Sequence, residues 1–305
     1  MSQTILHMTG PGVLGVRVGA PMLRDLLDVL VDAVQQSVRV RAEGRSRAAG
    51  PTPAWLDRAA TFLVEIRPGS TQLVLDAQRL GDLVPDRFAQ LSTFEPLDPR
   101  ATCLDVFVDA LDDALASKPD SDLYDDGLIE TLTRFVRVLD QDVDSFEIRN
   151  GRTRRFDRQS VDSLRQLQRS IPADQRVRVA GKLDLLKHSN RIFALLMPGV
   201  DLRGVVVADA DFARLGQLLG HQVIVSGTAK FRPSGKVSRV EAEQIVAAEG
   251  DTTPWESAPQ PLFSALETRS LRIPQGPKSG VAALFGQWPG DETDEDFESA
   301  IRDLS

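Results

Sequence analysis

The chain has 305 residues, 42% of them hydrophobic, with 36 Lys plus Arg against 44 Asp plus Glu and a formal net charge of -8. That balance excludes a disordered polymer and a chain-wide polycation that coats nucleic acid or anionic membrane. A single cysteine, Cys103, excludes an internal disulfide and a cysteine-clustered metal site, and His7, His188 and His221 lie far apart with no metal-ligand spacing.

No apolar run approaches the length of a membrane span, and Met1 to Gly10 has no basic region ahead of an apolar one. The expectation is a protein with no membrane anchor and no signal peptide, placed in the cytoplasm.

Gly15 to Val18 is a short β-prone stretch. Pro21 then opens a helix, in which Leu23, Leu26, Leu27, Leu30, Val31 and Val34 recur at helical spacing to about Val38. Arg39 to Thr52 is basic and rich in Gly, Ala and Pro, and is predicted as a loop. Phe62 to Ile66 and Thr71 to Leu75 alternate as two strands, with Arg67-Pro68-Gly69-Ser70 as the turn. Helices are predicted over Thr102 to Ala116 and Leu128 to Leu139. A hairpin follows, Ser145 to Ile148 and Thr153 to Phe156, around Asn150-Gly151, then a short helix from Val161 to Ser170.

From Arg176 the pattern turns to strands. They are predicted from Val177 to Leu185, Ile192 to Met197, Leu202 to Val207, Val223 to Phe231 and Val237 to Val246. Between the third and fourth, a helix from Phe212 to Leu219 has Asp209 or Asp211 as its cap. Three strands, a helix and two strands is the element order of an OB barrel. The fold class is therefore α+β, with a mixed α/β domain over 1–170, an OB-like barrel over 173–249, a linker over 250–280 and a flexible tail over 281–305.

Gly10, Gly12 and Gly15 spell the spacing of a dinucleotide-binding turn, but Pro11 sits inside it and a β-prone stretch follows where a helix is needed. A structural turn is predicted there. Asp140, Asp142 and Asp144 imitate the start of a calcium loop, but its sixth and twelfth positions hold Ser145 and Gly151 in place of Gly and Glu. No G-x-S-x-G serine and no phosphate-binding P-loop occurs. Asp120, Asp122, Asp125 and Asp126 form an acidic cluster, and an enzyme reading would seat a divalent metal near Asp122, Asp125 and Asp126. Cys103 falls on the apolar side of its helix and reads as core. The expectation is no catalytic residue, no metal and no cofactor.

Residues 151–190 hold ten basic residues against four acidic ones, a local excess in an acidic chain. A barrel that binds single strands needs a basic groove and stacking aromatics. Arg178, Lys182, Lys230 and Arg232, with Phe193 and Phe231 as platforms, are the candidates for that alternative.

The tail reads Phe285-Gly286-Gln287-Trp288-Pro289-Gly290-Asp291-Glu292-Thr293-Asp294-Glu295. Residues 291–305 carry seven acids against Arg302 alone. Thr293 can cap a short helix whose Phe297, Ala300, Ile301 and Leu304 share one face. Such a segment is too short to hold alone and folds against a partner or its own body. The string resembles the C-terminal tails of bacterial antitoxins paired with PIN-domain ribonuclease toxins (VapBC type). In that family the tail wraps the toxin and blocks an acidic, magnesium-dependent active site. The resemblance covers about the last 25 residues; the larger body departs from the small DNA-binding domain typical of that family. It implies a non-catalytic, antitoxin-like or regulatory subunit of a defence module that inhibits a partner ribonuclease. Phe285, Trp288, Phe297, Ile301 and Leu304 would be its anchors and Arg302 a plug in the active site. The oligomeric state is left open by the sequence.

Overall fold

The computed structural model describes residues 3–13, 17–67, 71–88, 97–188, 191–207 and 212–262. The tail residues Phe285, Trp288, Phe297, Ile301, Arg302 and Leu304 lie outside them, as do Asp209, Asp211 and the first half of the Gly15–Val18 stretch, Gly15 and Val16. The fold is mixed α+β and includes a closed five-stranded barrel. Residues Met1–Ala265 form one compact unit, separate from Leu266–Ser305.

The first layer is an antiparallel sheet in the order β2-β3-β1-β4-β5. Its strands are β1 Thr4–Thr9, β2 Leu63–Ile66, β3 Gln72–Asp76, β4 Ser145–Asn150 and β5 Arg152–Asp157. The central strand, β1, lies in a segment where the sequence reading placed no element. Its Thr4, Leu6 and Met8 are buried, while Ile5 and His7 between them are half-buried, the alternation of a strand covered more on one face than the other. Gly10 and Gly12, two of the three motif glycines, follow β1 and touch backbone. A Cβ on Gly10 would stand 2.4 Å from the Asp142 carbonyl oxygen, and one on Gly12 would stand 2.3 Å from that of Gln141. They allow close packing where no side chain fits, as a structural turn requires.

Helix α1, Ala20–Glu43, runs five residues past its predicted end. Its last turn is buried, so Arg39 and Glu43 pair with each other (3.6 Å) where the sequence had suggested a basic loop. Gly44 closes α1 at φ 71°, its N–H donating to the Val40 carbonyl at 2.7 Å. The short helices α2 Ala54–Ala59, α3 Leu80–Leu83 and α4 Pro85–Phe88 follow. Helix α5, Cys103–Leu115, starts from a capping box: Asp105 N–H donates to Thr102 Oγ1 at 3.2 Å and Thr102 N–H returns to Asp105 Oδ2 at 2.8 Å.

The helix predicted over Leu128 to Leu139 is two, α6 Asp126–Thr133 and α7 Val136–Leu139. The break has a local cause. Arg134 and Phe135 N–H groups bond three residues back, to Thr131 and Leu132, which tightens the turn. Arg134 then reaches Asp28 and Asp32 on α1, each at 2.6 Å, and Phe135 packs against the stacked pair of Phe146 and Phe156. Helix α8, Arg158–Arg169, is capped by Asp157 and packs on α6 and α5.

The barrel has its own core. Its strands are β6 Gln175–Lys187, β7 Ile192–Met197, β8 Val200–Val206, β9 Gln222–Phe231 and β10 Val237–Ala247. Helix α9, Phe212–Gly216, sits between β8 and β9. The strands close in the order β10-β8-β7-β6-β9, antiparallel throughout except β8 with β10. Gly204 on β8 is required for that closure: a Cβ there would stand 2.2 Å from the Phe193 ring and 2.4 Å from the Val240 carbonyl.

The first residues of the predicted linker stay on the barrel. A 3-10 turn at Thr253–Trp255 packs against β6, the Arg178 guanidinium lies 5.2 Å from the Trp255 ring centre, and Gln222 donates to Glu256 at 3.0 Å. Leu262 N–H donates to Gln175 Oε1 at 3.1 Å. Among the described residues no helix is long and apolar enough to cross a membrane.

Candidate binding groove

A groove of about 200 Å³ opens where the end of α1 faces the outer side of β7 and β8. Strand periodicity builds its floor. Phe193, Leu195 and Met197 point inward, so Ile192, Ala194 and Leu196 point out into the groove, with Val205 of β8 beside them. The opposite wall is Val40 to Gly44 with Tyr124. Arg41 and Asp122, 3.3 Å apart, stand at one rim, and Asp201 and Arg203 project from β8.

Two polar seams fasten the walls. The first centres on Arg239 of β10. It donates to the Gly44 carbonyl at 3.0 Å and to Asp125 Oδ2 at 3.3 Å, and holds Glu241 at 3.0 Å. Asp125 also caps α6 through Leu128 N–H at 3.1 Å and accepts Ser46 N–H at 2.9 Å. Arg45 joins Glu43 at 3.4 Å, and burial draws its guanidinium below its usual pKa. The second seam ties the β9–β10 turn to residues 119–120. Arg232 donates to the Asp120 carbonyl at 2.7 Å, Lys236 Nζ to Asp120 Oδ2 at 2.9 Å and Ser234 N–H to the Pro119 carbonyl at 3.2 Å. Hydrogen bonds from Ser234 and Lys236 hold the Asp120 carboxyl below the usual carboxylate range. Tyr124 donates to the Lys118 carbonyl, and burial pushes its hydroxyl up to about 12.

The aromatic platforms expected at the basic face are elsewhere. Phe193 and Phe231 are both buried in the barrel core. Phe231 is in phase with Val223, Val225 and Ala229, and that alternation already points it inward. Lys230 pairs with Asp174, and Arg232 belongs to the second seam. Arg178 and Lys182 are exposed, Arg178 over Trp255.

The acidic cluster is drawn apart in the same way. Asp122 faces Arg41, Asp125 is the α6 cap, and Asp126 accepts from Gln168 at 2.8 Å. Among the described residues no group of three or more His, Cys, Asp or Glu is set to hold a metal ion. The calcium-like segment lines an open depression of about 410 Å³, where Arg158 pairs with Asp140 at 2.8 Å and Arg155 with Asp157 at 3.4 Å. Cys103 lies in the first core, and burial pushes its thiol up to about 12.

These features define a small-barrel protein with a mixed-charge groove on one barrel face. Compared with known protein families, with curated proteins and with solved structures, the chain matches none.

Proposed function

We propose that this chain is a non-catalytic inhibitory subunit. Its folded body carries a C-terminal segment, 281–305, that folds onto and silences a partner ribonuclease of the PIN type, in the cytoplasm and within a defence module. The observation that carries the reading is the segment's composition: anchors Phe285, Trp288, Phe297, Ile301 and Leu304, seven acids and one cation, Arg302, over its last 15 residues. The body agrees with it in fastening the chain to the barrel as far as Leu262, ahead of that segment. The separate partners of Asp122, Asp125 and Asp126 weigh against an enzyme built on those carboxylates.

The barrel belongs to the same reading as an OB-type module. Its first strand pairs with the second and fourth, its third closes on its fifth in parallel, and a helix joins the third to the fourth. Barrels of that type take ligands on the face of the second and third strands. Here that face is β7 and β8, the floor of the groove. A single-strand reading retains exposed Arg178 and Lys182 but loses its stacking platforms, since Phe193 and Phe231 are buried in the core.

The test compares the full chain with one ending at Gly280, each purified from the organism that encodes it. The proposal expects one small magnesium-dependent nuclease with the full chain, inactive while bound and lost on truncation. Identical protein partners for both forms, or nucleic acid alone bound with a steep salt dependence, would refute it.

A further inference from the structure

The five-stranded sheet ends on two unlike edges. At one, β5 carries Arg152, Arg154 and Arg155 within six residues. Charged side chains along an outer strand are a common defence against stray pairing. At the other, β2 reads Leu63-Val64-Glu65-Ile66, with all four residues exposed. Leu63 is 71%, Val64 39% and Ile66 48% exposed. The strand has no lysine, arginine or proline, and no bulge breaks its register with β3. Among the described residues no strand pairs with its outer side.

Hydrogen-bond parity sets what that side offers. Ile66 lies opposite Leu73, and Arg67 N–H donates to the Gln72 carbonyl at 3.1 Å. Antiparallel ladders alternate bonded and non-bonded pairs. Glu65 and Leu63 therefore bond inward to β3, while Val64 and Ile66, and Phe62 just before the strand, turn N–H and C=O outward.

We infer that β2 is the contact of a symmetric homodimer. Two copies pair antiparallel through β2 about a two-fold axis at Val64, joining their sheets edge to edge. This register overlaps the whole extended segment with itself, and every outward N–H and C=O of Phe62, Val64 and Ile66 finds a partner. Phe62 lies opposite the second copy's Ile66 on one face, and Leu63 opposite its Glu65 on the other. The registers displaced toward Ile66 are worse. Centring on Glu65 sets two carboxylates face to face, which sheets disfavour. Centring on Ile66 brings in Pro68, which has no N–H to donate. This self-complementarity, closed by a two-fold axis, selects a second copy as the occupant over an unrelated strand.

Sedimentation equilibrium on the full chain tests the contact. The wild type is expected to be a dimer. Val64→Lys sets two ammonium groups across the axis and weakens self-association by about tenfold or more. Leu63→Lys, at a position exposed in the single chain, sets a cation opposite the second copy's Glu65 and tightens the dimer several-fold. Thermal unfolding of both variants checks that the fold is retained, and Leu63→Lys decides the matter if Val64→Lys fails to fold. A wild type that stays monomeric at every accessible concentration overturns the inference. So does a dimer that neither substitution shifts.

Discussion

Arg239 is the most consequential single side chain in the seam between sheet layer and barrel. Its side chain is 11% exposed, and its main carboxylate across the seam, Asp125, 14%. Replacing it with methionine keeps the volume of the stem and removes three interactions, to the Gly44 carbonyl, Asp125 and Glu241. Stranding a fully buried charge costs about 3–5 kcal/mol. The low end applies here, because Asp125 keeps two backbone N–H donors and Glu241 is partly open to water. Arg239→Met should therefore cost about 3 kcal/mol, a fall in Tm of roughly 6–12 °C for a body of this size. A double-mutant cycle with Asp125→Asn isolates the pair, since asparagine also caps a helix. The coupling should be about 1 kcal/mol, measured by urea denaturation. It should also persist in high salt, because a buried pair is weakly screened. A single-variant cost below about 1 kcal/mol, or a coupling of zero, would show that the pair behaves as an exposed one and that the seam is not held by Arg239.

Three further outcomes follow from the geometry. Gly204→Ala forces a methyl group into the Phe193 ring and should cost about 2–3 kcal/mol or more by urea denaturation; near-wild-type stability would contradict the packing described. Cys103 should resist thiol reagents at mildly alkaline pH until the chain is unfolded. Its folded pKa of about 12 exceeds the ordinary 9.0, so its stabilising contribution is complete below pH 9.0 and is lost as pH rises from there to 12, a loss that should be absent from Cys103→Ala. The Asp120 carboxyl works in the opposite sense. Its lowered pKa makes its contribution present above 3.8 and lost in stronger acid, so the stability difference between wild type and Asp120→Asn should shrink only below that pH.

Much of the barrel was legible because its strands alternate cleanly between turn signals, and the hairpin at Asn150-Gly151 and the helix of Cys103 to Leu115 carry strong local signatures. Strand β1 was not. Its six residues include Thr4, His7 and Thr9, and only sheet pairing on both sides makes so mixed a segment a central strand. The end of α1 was misread for a related reason. A charged run looks like a solvated loop until something packs around it, and here Arg39 and Glu43 are buried. The groove was invisible because Arg41, Tyr124, Arg203 and Arg239 come from four separate stretches that meet only after folding. Phe231 is the instructive miss, since strand parity alone places it with Val223 and Val225 in the core.

The basic excess of residues 151–190 shows why local charge is a weak guide to a nucleic-acid surface. In the folded body Arg154 pairs with Asp112, Arg158 with Asp140, Arg165 with Asp162 and Arg176 with Glu243. Three of these cations serve as counterions to acids outside the run, and Arg165 to one inside it, as an acidic chain of ordinary composition allows. Recognition then has to come from features that the body leaves uncommitted. The proposed inhibitory tail and the β2 edge are two such features, and they are separable in one experiment. Truncation at Gly280 should release the nuclease while leaving the dimer intact. Val64→Lys should dissolve the dimer while the nuclease stays bound and inactive. If either change produced both effects, the two contacts would be one, and the dimer would have to be rebuilt around the tail.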